Sequence, residues 1–334
     1  MAPISHGQKM RNWQPTAPIA NLKKRAQIIN QIRAFFFERG VLEVETPLMA
    51  TAGTTDAYIA SITAEFIELG AKQGTTCYLQ TSPEYAMKRL LAADSGAIFQ
   101  ICKAFRNGEV GHHHNPEFSM LEWYRPGFDL QMLMAEVAEL VQYILPNTKT
   151  QYYTYQALFE KILTINPHSA TVTQLQTCMR ECDIHGVNSD DKDILLQVLM
   201  SHVIEPRLPV DETTFIYHFP ASQAALARVN RQGAIPVAER FEVYRAGLEL
   251  ANGFYELTDA NEQAARFKAD LEKRRTQNLP QVPIDERLIA ALTHGLPDCS
   301  GVALGIDRLI MLALGVDNIN EVLSFGFGAV WIDR

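Results

Sequence analysis

The sequence has no long uninterrupted apolar run. Its most hydrophobic stretch, GVALGIDRLIMLALGV, is broken by Asp307 and Arg308. No membrane-spanning helix is expected, because a span needs about 20 consecutive apolar residues. The opening segment, MAPISHGQKMRNWQPTAPIANLKKR, lacks the apolar core of a secretory signal. Positive charge is also scarce: 30 Lys and Arg against 38 Asp and Glu leave a net charge of −8. That excludes a broad basic footprint for nucleic acid and leaves only local basic spots. Five cysteines (Cys77, Cys102, Cys178, Cys182, Cys299) are odd in number and scattered, so a reducing, cytoplasmic setting is expected rather than a disulfide framework. There is no internal repeat, no low-complexity tract, no GxGxxG fingerprint and no GxxxxGK[ST] loop. The adjacent His112, His113 and His114 point apart, and Cys178-x3-Cys182 has no partner pair, so neither is read as a metal site.

What is present fits a globular protein. The chain has 334 residues, 47 % of them hydrophobic and 20 % charged, enough for one large domain or two smaller ones. The first 18 residues, with Pro3, Pro15 and Pro18, read as an arm. Asn21 is placed to cap a helix from Leu22 to about Arg39, with Ile28, Ile32 and Phe35 at helical spacing and Gly40 to stop it. Residues 41–47 read as a short strand ended by Pro47. Strands are expected at 77–80, 98–105, 118–124, 214–219, 241–245, 248–257 and 301–306. Helices are expected from Pro83, capped by Ser82 and with Glu84 in the first turn, from about Asp129 to Leu145, over 259–276 and over 308–314. Residues 150–212 read as a mostly helical insertion in a single domain. Antiparallel-type strands with segregated helices predict an α+β fold, a mainly antiparallel sheet flanked by helices.

Three clusters could carry chemistry. The first is Phe105-Arg106-Asn107-Gly108-Glu109, followed by His114-Asn115-Pro116-Glu117-Phe118. An arginine at a strand end facing a polar loop suits phosphate or carboxylate, whose two oxygens match its planar fork; the alternative is a hairpin with a surface salt bridge. The second is Glu242, Glu249 and Glu256. Odd spacing sends strand residues to opposite faces, but a turn at Ala246-Gly247 and a bulge at Gly253 would bring all three to one side. Such acids suit Mg²⁺ on nucleotide phosphates; otherwise they are separate solvated strand acids. The third is Ser300-Gly301-Val302-Ala303-Leu304-Gly305-Ile306-Asp307-Arg308. Its glycines permit close approach of a ligand, and Arg308 opens an otherwise apolar helix at a cavity rim. The alternative is a buried Arg308 paired with Asp307.

Together these clusters resemble the class II aminoacyl-tRNA synthetases. Gly40–Pro47 (GVLEVETP) looks like motif 1, Phe105–Phe118 with Leu121–Tyr124 like motif 2, and Ser300–Leu309 like motif 3. HNPEF, MLEWY and ELANGFYEL are similar to the lysyl branch. Motif 1 begins about 40 residues in, which leaves no room for the anticodon-binding OB domain of a lysyl-tRNA synthetase. The sequence is therefore most similar to the bacterial elongation factor P–(R)-β-lysine ligase family, including WQP, TSPEYAMKRLL, YHFPASQAAL and PDCSGVALG.

The resemblance implies ATP and Mg²⁺ as cofactors, β-lysine as substrate, elongation factor P as acceptor, a homodimer through motif 1, and neither stable nucleic acid nor membrane as partner. Arg106 would hold the α-phosphate with the substrate carboxylate, and Arg308 would share the catalytic role. Phe118 and Arg308 would sandwich adenine. Asn107, Gly108, Glu109, His114 and Asn115 would line the nucleotide, with Leu250 and Gly305 reaching it through backbone. Class II motif 2 usually has an acid two residues after the arginine. Here Gly108 holds that place, so the adenine-edge contact falls to Glu109 or to backbone. Glu242 and Glu249 would hold Mg²⁺. Glu84, in the Ser82-Pro83-Glu84 element, would face a substrate amino group. Glu122, Tyr124 and Glu256 would recognise the distal ammonium, and Asn252 would help orient the carboxylate. Ala303 stands where lysyl-tRNA synthetases have glycine, and one methyl in a tight pocket shifts selectivity by about 1–3 kcal/mol. The alternative is a truncated lysyl-tRNA synthetase-like enzyme that activates α-lysine.

Overall fold

Apolar residues recurring at helical spacing in three helices and at every second position in the central strands generate one large buried layer. A computed structural model describes residues 13–330; Pro3 lies outside them. In chain order the elements are α1 (Ile19–Glu38), β1 (Leu42–Glu43), β2 (Met49–Ala50), β3 (Thr63–Phe66), β4 (Thr75–Leu79), α2 (Glu84–Ala92), β5 (Ile98–Phe105), β6 (Glu117–Pro126) and α3 (Leu130–Ile144). There follow β7 (Lys149–Thr154), α4 (Tyr155–Leu163), α5 (Val172–Glu181), α6 (Lys192–Leu199), β8 (Glu212–Pro220), β9 (Val229–Asn230), β10 (Val237–Arg245) and β11 (Leu248–Tyr255). The last are α7 (Ala260–Thr276), α8 (Glu286–His294), β12 (Cys299–Gly305), α9 (Ile306–Leu314) and α10 (Phe327–Val330).

The main sheet runs β1-β5-β6-β12-β11-β10-β8-β7, with β9 paired to β10. Its pairs are antiparallel except β1 with β5 and β7 with β8. One face is sealed by α1, α3 and α9, whose Ile32, Phe36, Val137, Leu140 and Leu309 pack on Phe241, Val302 and Leu304. Trp123 lies within this layer, edge-on to Phe36, and its indole N–H donates to Glu136 at 3.0 Å. A buried ion pair fixes the helical layer to the sheet: Asp307 meets Arg25 at 2.6 Å and accepts from the Ser119 N–H at 2.7 Å. A three-stranded sheet, β2-β4-β3, stands apart. No helix of the described residues is long and apolar enough to cross a membrane.

Several local expectations are corrected. Helix α1 starts at Ile19 behind Pro18, whose fixed φ of −57° suits a helix entrance, and Asn21 does not cap it. The Asn21 amide instead donates to the Glu321 carbonyl. The arm is not free at its end, since Thr16 and Ala17 bond to Ser324 and Leu323. Of residues 41–47 only Leu42–Glu43 form a strand. Helix α2 begins after Pro83, and Ser82 accepts from the Glu84 N–H at 3.2 Å. Helix α9 begins at Ile306, not Arg308. The segment 150–212 opens with strand β7, which joins the sheet edge beside β8 before α4, α5 and α6 close a second core around Phe159, Leu175 and Leu196. Strands β2, β3 and β9 and helix α8 were not foreseen.

Candidate active site

The face opposite α1, α3 and α9 carries the polar residues. Pairing aligns them in one row across the sheet: Gln100 opposite Glu122, Glu122 opposite Ala303, Ala303 opposite Asn252, and Asn252 opposite Glu242. Period-two alternation places Phe118 and Tyr124 of β6, and Gly301 and Gly305 of β12, on the same face.

Glu249 reaches this face through a bulge. In the β10–β11 hairpin Val243 pairs with Ala251, but Tyr244 pairs with Glu249, so Leu250 is the extra residue. Without that insertion Glu249 would face the helices. The bulge is therefore at Leu250 and not at Gly253, which stays in register opposite Phe241. A Cβ at Gly253 would lie 2.4 Å from the Phe241 ring, so this glycine makes room for the core. The hairpin turn at Ala246 and Gly247 takes positive φ at both residues, 50° and 74°, matching the tight turn expected there.

The three glutamates thus share a face but form two groups. Glu256 joins a buried pocket with Glu84 and Glu122. Tyr124 donates its O–H to Glu122 Oε1 at 2.6 Å. Lys88 lies 2.6 Å from both Glu84 and Glu256, one helical turn above the former, with its side chain 1 % exposed. Glu122 Oε2 is buried and has no partner. Burial, then the neighbouring Glu84, pushes the Glu122 carboxyl up to about 8. Burial likewise pushes Glu256 up to about 8, against the pull of Lys88. Burial works against the Lys88 ammonium, yet Glu256 and Glu84 hold it above the usual lysine range. Gly301 is essential to this packing: a Cβ there would lie 2.3 Å from the Tyr124 ring and 2.7 Å from Glu256 Oε1.

The second group, Glu242 and Glu249, lies nearer the hairpin. Glu242 receives hydrogen bonds from Arg240 and from the Tyr244 hydroxyl, the latter at 2.6 Å. Burial, then Glu242, raises Glu249 to about 7. Two adjacent carboxylates of this kind fit one divalent cation that takes its remaining oxygens from phosphates. No three His, Cys, Asp or Glu among the described residues are placed to hold a metal ion by themselves.

Anion donors converge nearby. Arg106 lies over the Phe118 ring at 5.1 Å, with its Nε buried and unpartnered. Glu109 approaches it at 3.9 Å. The Asn107 N–H donates to Ala60, and Gly108 turns the loop with φ of 82°. Arg308 is not paired with Asp307, whose partner is Arg25. It donates instead to the Glu249 carbonyl at 2.7 Å and the His113 carbonyl at 3.3 Å, and meets His114 Nε2 at 2.7 Å. Arg308 thereby clamps the loop after β5 onto β11. Burial, then Arg308, lowers the pKa of His114, which suits a neutral acceptor ring. Asn115 is held within the protein, donating to the Glu117 carbonyl and accepting from the Phe327 N–H, which fixes the loop around it.

Sequence reasoning missed two residues here. Arg240 donates to Glu242, to Asn252 Oδ1 and to the Gln223 carbonyl; its signal was alternation, two places before Glu242 on one strand. Lys88 was signalled by its place four residues after Glu84.

Residues 9–328 match the family of tRNA synthetases class II (D, K and N). The chain is 53 % identical to an elongation factor P--(R)-beta-lysine ligase of Edwardsiella ictaluri (strain 93-146), over 95 % of this chain and 98 % of that protein. It is also 53 % identical to the protein so named in Klebsiella pneumoniae (strain 342), over 94 % of this chain and 97 % of that protein. The same identity and coverage hold for one from Salmonella paratyphi A (strain ATCC 9150 / SARB42). The chain belongs to the class II tRNA synthetase family and, within it, groups with the elongation factor P--(R)-beta-lysine ligases.

Proposed function

We propose that this chain activates (R)-β-lysine with ATP and transfers it to the ε-amine of one lysine on elongation factor P. The observation that carries the reading is the buried acidic pocket of Glu84, Glu122 and Glu256, with Glu122 Oε2 unpartnered. A buried carboxylate without a partner calls for a cation. The name borne by the relatives supports the same substrate and acceptor.

In the first step a carboxylate oxygen of the amino acid attacks the α-phosphorus of ATP. The bond to the bridging oxygen breaks and pyrophosphate leaves. Arg106, with a free buried Nε, would pair with the α-phosphate and the incoming carboxylate, stabilising the charge that develops between them. Phe118 and Arg308 would hold the adenine, with Asn107, Gly108, Glu109, His114, Leu250 and Gly305 around the nucleotide. Glu242 and Glu249 would hold Mg²⁺, which when bound neutralises phosphate charge. Asn252 would orient the carboxylate, while Glu122, Tyr124 and Glu256 take the distal ammonium and Glu84 the other. In the second step the acceptor amine attacks the carbonyl carbon, AMP leaves, and the amine gives up a proton. No covalent bond to the enzyme is required.

Phe37, Leu42, Met49 and Phe66 along α1, β1, β2 and β3 are 43–58 % exposed, which supports a homodimer through this region. Five free thiols fit a cytoplasmic setting. The test of function is ATP–pyrophosphate exchange with α-lysine and (R)-β-lysine side by side. Preference for β-lysine is expected. Equal or better use of α-lysine would return the reading to a lysyl-tRNA synthetase-like enzyme.

A further inference from the structure

Among the described residues, Lys88 is the one cation embedded in the acidic pocket. It is 1 % exposed and is fixed by two ion pairs of 2.6 Å, to Glu84 on its own helix and to Glu256 at the end of β11. It does not touch Glu122, whose hydrogen bond comes from Tyr124. Other groups that face the cluster are engaged elsewhere or neutral. Arg228 pairs with Asp298 at 2.6 Å, and the Cys299 and Tyr85 side chains are held protonated by burial. Three carboxyl groups face one ammonium, so the pocket carries two negative charges once all three ionise, and the ammonium groups of a bound substrate favour that ionisation. A single-ammonium amino acid would leave one buried carboxylate without a counter-charge.

We propose that Lys88 is a positioning residue of this pocket: its ammonium holds the Glu84 and Glu256 side chains in place through its two ion pairs and favours the ionised form of Glu256 when substrate binds, so that the pocket selects amino acids carrying two ammonium groups over those carrying one. This rests on the functional reading above. Both ion pairs of Lys88 are to acids proposed to hold the substrate ammonium groups, so its effect is expected on substrate binding. Without it, Glu256 would hold its proton to still higher pH and offer a hydroxyl where an ammonium needs a carboxylate.

The test uses the full chain as wild type, Lys88→Met and Lys88→Arg, in ATP–pyrophosphate exchange from pH 6 to 9. The substrates are (R)-β-lysine and 3-aminohexanoic acid, which lacks the distal ammonium. Methionine keeps an unbranched chain one atom shorter than that of lysine and carries no charge, and arginine keeps the charge. Lys88→Met is expected to raise KM for (R)-β-lysine at least about tenfold at pH 7, with kcat within about threefold. The pH at which KM recovers moves up by about one unit or more, while Lys88→Arg keeps the wild-type profile. An unmoved profile in Lys88→Met, or equal loss in both variants with unmoved profiles, would reduce Lys88 to packing and overturn the proposal. Should Lys88→Met fail to fold, wild type decides: equal use of 3-aminohexanoic acid and (R)-β-lysine overturns it, and strong discrimination with Lys88→Arg active supports it. If wild type exchanges with no diamino acid, the functional reading fails, and the role of Lys88 falls with it.

Discussion

Replacing Gly301 by alanine should injure amino-acid binding without removing any charged group. The added Cβ would lie 2.3 Å from two ring carbons of Tyr124 and 2.7 Å from Glu256 Oε1. Carbon atoms in contact need about 3.5 Å, so the Tyr124 ring must retreat by roughly 1 Å. Tyr124 is fully enclosed, and inserting a methyl group into such a site costs about 1–3 kcal/mol in stability. The same retreat stretches the 2.6 Å bond from Tyr124 to Glu122 beyond good geometry. Glu122, whose other oxygen is already unpartnered, then loses its donor, at a further cost of about 1–3 kcal/mol.

If that second cost falls on substrate recognition, KM for (R)-β-lysine should rise by about 5- to 150-fold, since about 1.4 kcal/mol is a factor of ten. The KM for ATP should hold. Pyrophosphate exchange with either substrate varied gives both constants, and Gly233→Ala is the control. At Gly233 a Cβ meets its nearest atom, a backbone oxygen, at 3.7 Å, an ordinary contact. A Gly301→Ala enzyme with an amino-acid KM within twofold of wild type would refute this account of the pocket.

Arg106→Ala should abolish adenylate formation while the thermal unfolding midpoint stays within a few degrees; retained exchange would move the anion site elsewhere. Ala303→Gly, between Glu122 and Asn252 in the cross-strand row, should shift preference toward α-lysine by about 5- to 150-fold, the equivalent of about 1–3 kcal/mol; an unchanged isomer ratio would remove Ala303 from the selectivity account. Arg25→Met leaves Asp307 buried without its 2.6 Å partner and should cost about 3–5 kcal/mol in urea unfolding; a loss below about 1 kcal/mol would contradict that. Glu122 and Glu256 are both raised to about 8, so their contribution to stability is full in acid and is lost as pH rises through that value. The free protein should therefore melt at lower temperature at pH 9 than at pH 6, with saturating (R)-β-lysine flattening the fall; equal slopes with and without it would refute the pocket's charge state.

Much of this was legible from local signals. The expected strand 98–105 is β5, residue for residue. Asp129 caps α3 by accepting from the Met132 N–H, and Pro146 lies just beyond its end. Such features depend on neighbours within one or two turns of chain. The errors came where a nearby signal competed with a distant one. Asn21 is a good cap by composition, but Pro18 set the entrance and the Glu321 carbonyl took the Asn21 amide. The alternative pairing of Asp307 with Arg308 fails in the same way, because Arg25 claims Asp307 from the other end of the chain.

The acid cluster shows the limit most clearly. Glu242 and Glu249 are an odd number of residues apart, so alternation alone puts them on opposite faces. A turn and an inserted residue were both needed, and the turn was visible in Ala246-Gly247. The insertion was assigned to Gly253 because glycine tolerates irregular backbone. The sheet instead needs Gly253 regular, since the Phe241 ring lies over it, and the extra residue is Leu250, an ordinary buried leucine. Which residue bulges is decided by the register of β10 against β11 together with the core on the far face. The presence of a shared acidic face could thus be inferred from residue types, while the means of building it follows from packing on the side that carries no chemistry.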